Sequence, residues 1–181
     1  MEGLVLRYGL LAVFLGTAIE GEPFALAGGV LAHRGWLSPA AATLAVIGGG
    51  LAIDQLWFHL GRHFRDSRVV RSVMERPAFA RSLRLVERHP VPFVLGFRFA
   101  YGLRAVAPVA IGASRVPTAL FVPLNVVAAV VWGAIFTALG WLAGPSVEAV
   151  QARYGPALTI GALVLSAGVL LFALRKGPTR R

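Results

Sequence analysis

Cysteine is absent from this 181-residue chain, which excludes disulfides and cysteine-based nucleophiles or metal sites. Acidic residues are scarce: eight Asp and Glu stand against 18 Lys and Arg. Charge of either sign is sparse as well, 14% of residues, where soluble domains carry about 25%. With 57% of residues hydrophobic, an ordinary soluble domain is excluded and a bilayer protein is expected. The apolar N-terminal stretch leads into Glu20 and Glu22 with no small-residue cleavage site, so it is not read as a secretory signal peptide.

The net charge of +10 does not point to nucleic acid. Eight of the 17 arginines lie between Arg62 and Arg88, and Arg175, Lys176, Arg180 and Arg181 close the chain. Both clusters directly follow apolar segments. That is the pattern of positive-inside anchoring, whereas a nucleic-acid stripe is interleaved with a polar surface.

A helix crosses a bilayer with about 20 apolar residues. Three segments qualify: Gly35 to Leu60, interrupted only by Asp54; Val116 to Val147; and Tyr154 to Leu174, the last two without charge. Two further apolar regions are broken. One, 4–33, is split at Glu20-Gly21-Glu22-Pro23; the other, 90–113, is split by Arg98 and Arg104 with Gly102 between them. Arms of about ten residues reach roughly half a bilayer, as in re-entrant hairpins.

The charge rule bears on this reading. With 62–88 and the C-terminus both cytoplasmic, an even number of crossings separates them. The spans 116–143 and 155–174 already make two, so 90–113 enters and leaves on one side. For 4–33 two readings stay open, a hairpin dipping from the opposite face or a full first crossing. The halves then resemble each other: a broken hairpin, a turn with proline (Pro39, Pro117), and a long span. The expected fold is an all-α integral membrane domain over 1–181. It is an inverted repeat of two re-entrant hairpins (4–33, 90–113), each followed by a transmembrane helix (36–60, 116–143). A basic amphipathic linker (62–88) and a C-terminal transmembrane helix (155–174) complete it.

Ionisable residues inside a membrane cost about 2.5 kcal/mol or more at helix centre, so they are read as functional. The first half supplies acids, Glu20, Glu22 and Asp54; the second supplies bases, Arg98 and Arg104. If the hairpin tips meet, each charge lowers the desolvation cost of the other. Two neighbouring carboxylates cannot both stay ionised cheaply in low dielectric, so Glu20, Glu22 and Asp54 are candidates for proton coupling. The guanidinium fork matches phosphate oxygens, which makes Arg98 and Arg104 candidate binders of an anionic headgroup. Each has a plainer reading: snorkelling arginines, a helix-capping Glu20, a structural Asp54. His59 and His63 have a metal-compatible spacing, but they sit where a span meets a basic loop and are read as interfacial. No metal and no cofactor is expected. Trp36, Trp57 and Trp141 read as interface anchors or packing.

Three motifs in register are similar to the DedA (VTT-domain, "SNARE-associated") family. They are Glu20-Gly-Glu-Pro with Ala27-Gly28-Gly29 and Gly35; Gly50, Asp54, Phe58 and Gly61-Arg62; and Arg98-Phe-Ala-Tyr-Gly-Leu-Arg104. Pro108, Gly112, Ser114-Arg115, Asn125 and Trp132-Gly133 follow in family order. The resemblance covers roughly 10–145. It implies paired re-entrant hairpins and movement of lipids between leaflets, undecaprenyl phosphate and phospholipids included. It also implies essential acids at Glu20 or Glu22 and at Asp54, with essential arginines at Arg98 and Arg104. The acidic hairpin is more compact than in many members, so both glutamates stay open. The expected partners are anionic or polyprenyl-phosphate lipids and protons, in a multi-pass protein of the cell membrane, with a homodimer as the assembly to test. A coupled small-solute transporter, a lipid-phosphate enzyme and a structural assembly factor are the alternatives. The enzyme lacks a nucleophile set at the hairpin tips.

Overall fold

A computed structural model describes residues 2–67, 86–99 and 103–175. Much of the expected linker (68–85), Ala100-Tyr101-Gly102 and the basic residues after Arg175 lie outside the described residues. What is described is helical: α1 (Glu2–Ile19), α2 (Glu22–His33), α3 (Pro39–His63), α4 (Pro90–Gly96), a 3₁₀ turn (Phe97–Phe99), α5 (Leu103–Ala113) and α6 (Thr118–Arg175). No strand occurs among the described residues.

The breaks follow local chemistry. Gly21 at φ +81° separates α1 from α2, and Pro23 lies in the first turn of α2, where its missing N–H costs nothing. Pro39 and Pro90 start α3 and α4 for the same reason. The expected break within 4–33 is present; within 90–113, α4 gives way to the 3₁₀ turn, and Gly102 lies outside the described residues. The first arm is longer than the expected ten residues: the 18 residues of α1 extend about 27 Å.

Among the described residues, Pro39–His63 and Thr118–Ala149 are long and apolar enough to cross a membrane. The chain divides into two units, 1–142 and 143–181. The boundary falls close to the expected end of the 116–143 span, although α6 continues to Arg175.

Helix α3 is the axis of the first unit. Its residues Ala42, Val46, Gly50, Asp54 and Phe58 recur every four positions and are all buried, one face of a helix packed on its neighbours. Pairwise contacts set the directions. Gly16 meets Phe24 and Gly28 meets Val13, so α1 and α2 are antiparallel. Gly61 approaches the Val109 backbone and Gly112 that of Phe58, so α5 runs antiparallel to α3. Gly133 meets Ile47 while Phe58 stacks on Phe121 at 4.0 Å, so the 118–142 part of α6 is antiparallel to α3 too.

Two apolar clusters result. One holds Val13, Ala25, Val46 and Trp132, the other Phe58, Phe97, Ile111 and Phe121. Along α3, Gly50 and Asp54 lie between Val46 of the first and Phe58 of the second. This polar layer holds the charged residues.

Candidate functional site

Asp54 is buried on the packed face of α3. Its Oδ2 lies 2.5 Å from Arg98 Nη2, and both side chains are withdrawn from solvent. Arg98 belongs to the 3₁₀ turn, and its Nε and Nη2 both donate to Asn125 Oδ1 of α6 at 3.4 Å. Room for the guanidinium comes from Gly50: a Cβ there would lie 2.9 Å from Arg98 Nη1 and 3.6 Å from Arg104 Nη2. Asn125 is itself wholly buried.

Arg104, in the first turn of α5, is held differently. Its Nη1 lies 3.5 Å from Glu22 Oε1, with side-chain exposures of 15% and 31%, so this pair opens to the surroundings while the other does not. Arg104 Nη2 donates to the Thr17 carbonyl at 3.3 Å. Thr17 lies in the last turn of α1, where carbonyls lack helical partners and the helix end is partially negative. Glu22 opens α2, where the partial charge is positive. Each charged side chain therefore sits at the helix end of opposite sign. Gly21 makes the meeting possible, because a Cβ on it would lie 1.7 Å from Arg104 Nη1.

The indole of Trp132 joins the two arginines. Arg104 Cζ is 4.5 Å and Arg98 Cζ 5.9 Å from its ring centroid, cation–π distances at a wholly buried ring. Trp132 follows Asn125 by seven residues, two helical turns, so both face the same side of α6. Trp132 Nε1, Asn125 Nδ2 and Arg98 Nη1 have no hydrogen-bond partner among the described residues. The layer is thus richer in donors than in acceptors.

The structure brings together Glu22, Asp54, Arg98 and Arg104. Glu20, just past the end of α1, is exposed and belongs to neither ion pair. Asn125, Trp132 and the Thr17 carbonyl complete the site, and none of them was singled out for it in the sequence. A signal was present for one: Asn125 is an amide in an uncharged apolar run, a residue costly to leave unpaired there. His59 and His63 are exposed, and no group of three His, Cys, Asp or Glu suited to a metal occurs among the described residues. Beyond the layer, Arg62 Nη2 donates to the Val116 carbonyl and Ser114 Oγ to that of Ile111, fixing the end of α5.

The VTT domain matches residues 19–142, ending where the first unit ends. The chain is 40% identical over 144 residues to the inner membrane protein YohD of Escherichia coli (strain K12), covering 80% of this chain and 75% of that one. It is 30% identical over 157 residues to the uncharacterized membrane protein slr0232 of Synechocystis, covering 80% and 71%. A third relative is the uncharacterized membrane protein ML0287 of Mycobacterium leprae, 29% identical over 154 residues. No solved structure matches the chain.

Proposed function

The chain belongs to the DedA family of VTT-domain membrane proteins, and on that premise we propose that it is a lipid transporter, a flippase or scramblase for a phosphate-bearing anionic lipid. Undecaprenyl phosphate and phospholipids are the substrates to test first. The observation that carries this reading is the unequal pair of arginines. Arg98 is locked by Asp54 and Asn125, while Arg104 is partly open and held by a partly open Glu22. Arg104 therefore grips the headgroup with its planar fork, and Arg98 sets the charge and shape of the site behind it.

The transport path uses the two broken helix pairs, α1–α2 and α4–α5, as re-entrant hairpins of an inverted repeat whose tips carry the site. Support comes from length: α2 has 12 residues, about 18 Å of helix, too short for a bilayer core of about 30 Å. Glu22 supplies the proton coupling. When it takes up a proton, Arg104 loses its counter-ion and becomes available to lipid phosphate. The protein acts as a carrier and not as an enzyme, in the cell membrane, with several crossings.

The test is leaflet exchange of a labelled phosphate lipid by purified protein in liposomes. Redistribution without chemical change supports the reading. Headgroup release means an enzyme, and absence of both activities means a structural factor.

A further inference from the structure

The two arginines of the charged layer share a partner that carries no charge. We propose that Trp132 is the positioning residue of headgroup binding: its ring face keeps the Arg104 guanidinium in the layer when Glu22 is neutral and no longer holds it. The role in binding rests on the transport reading above, whereas the placement rests on geometry alone.

Charge creates the need for such a residue. Arg98 Nη1 and Arg104 Nη2 both lie within 3.6 Å of the Cβ that Gly50 lacks. Two cations therefore stand side by side where the low dielectric strengthens their repulsion. Arg98 stays with Asp54. Arg104 has Glu22 at 3.5 Å as its anion, and it is also held by the Thr17 carbonyl at 3.3 Å and by the Trp132 ring, 4.5 Å from Cζ. Neutralising Glu22 leaves the carbonyl and the ring to oppose the charge of Arg98. The carbonyl accepts from one nitrogen only. The quadrupole of the indole face attracts the whole delocalised cation, and its neighbours' protonation does not remove it.

The ring is itself fixed. Trp132 is wholly buried, packs with Val13, Ala25 and Val46 and stacks on Phe136 at 4.7 Å. The next residue brings α6 close to α3, since a Cβ on Gly133 would lie 2.6 Å from Ile47 Cγ1. The residue type is informative too. Trp132 Nε1 is buried with no hydrogen-bond partner among the described residues, a cost that phenylalanine would not carry. What tryptophan adds is the strongest cation-attracting face of the aromatic residues. That face lies nearer Arg104 than Arg98, 4.5 Å against 5.9 Å, so it serves chiefly the arginine without a closed ion pair.

The experiment places fluorinated tryptophans at position 132 alone, by nonsense suppression in the full-length protein. Fluorine weakens the ring's attraction for a cation stepwise and leaves its shape nearly unchanged, so a residue that only fills the core would show no graded effect. Affinity for undecaprenyl phosphate, and separately for phosphatidylglycerol, should fall with each added fluorine, by about tenfold at three. Trp132→Leu should lose at least as much and Trp132→Phe less. Placement is read without lipid by fluorine NMR of the monofluorinated ring. Its resonance should move in Arg104→Met and stay near the wild-type position in Glu22→Gln. A resonance that Arg104→Met leaves in place, or that Glu22→Gln moves to the Arg104→Met position, would overturn the placement. Equal affinity across the fluorinated series, in a protein that binds lipid, would overturn the positioning role. A wild type that neither binds nor moves a phosphate lipid defeats the transport reading instead, and the resonance positions still decide whether Trp132 holds Arg104.

Discussion

Asp54 and Arg98 form an ion pair of 2.5 Å with side-chain exposures of 2% and 0%. Between helices of a membrane protein, such a pair is held because either charge alone would be far costlier than both together. Arg98 also gains an amide from Asn125 and the face of Trp132, so its position is over-determined. Arg104 has a longer and more open link to Glu22. The contrast between a closed pair and an open one orders the predictions.

Removing one partner of the closed pair leaves the other buried and uncompensated. Asp54→Ala and Arg98→Ala should each destabilise the protein by about 3–5 kcal/mol. The double change Asp54→Leu with Arg98→Met should cost much less than the sum. Thermal unfolding in detergent measures all three, and strict additivity would show that the two residues are not coupled.

Arg104→Lys keeps the charge and loses the fork. Affinity for a phosphate-bearing lipid should fall about tenfold or more, ~1.4 kcal/mol, with the unfolding temperature nearly unchanged. Lipid-binding titrations check this. Wild-type binding and transport in the lysine variant would remove Arg104 from headgroup recognition.

In the proposed mechanism Glu22 competes with lipid phosphate for Arg104, and protonating it ends the competition. Binding and exchange in the wild type should therefore strengthen as pH falls. Glu22→Gln mimics the protonated state, so it should bind at high pH as the wild type does at low pH and show a flat profile. Glu20→Gln, at an exposed position outside both pairs, should keep the wild-type profile. Leaflet exchange measured across a pH series reads the difference. A sloping Glu22→Gln profile would leave a passive scramblase with a fixed counter-ion.

Gly21 carries both a φ of +81° and the Arg104 guanidinium against its Cα. Gly21→Ala should cost about 1–3 kcal/mol from backbone strain and displace Arg104, so lipid affinity should fall more than stability alone explains. Gly35 also has a positive φ, 71°, but a Cβ there meets nothing within 4 Å. Gly35→Ala is the control: strain with no loss of affinity.

The chain lacks cysteine, which makes topology directly testable. Single cysteines at Ser67 and Thr179 should resist impermeant thiol reagents added outside intact cells, because the positive-inside rule predicts a cytoplasmic side for the arginine-rich segments. External labelling at either position would overturn the orientation and the second re-entrant hairpin.

Composition alone determined that the chain belongs in a membrane, because a scarcity of charge and long uncharged runs leave no other solvent for it. The order of motifs determined the family, and Gly21 with Pro23 determined where α1 gives way to α2, since φ and N–H requirements act locally. That acids lie in the first half and arginines in the second was equally legible. Which acid meets which arginine was not. Asp54 takes Arg98, Glu22 takes Arg104 and Glu20 takes neither, because Gly50 opens a gap on α3 that admits one guanidinium while the helix ends at Gly21 hold the other. Tertiary structure alone also enlisted Asn125, Trp132 and the Thr17 carbonyl. Their roles depend on contacts between residues from 27 to 87 positions apart, set by helix crossings that no periodicity along one segment encodes.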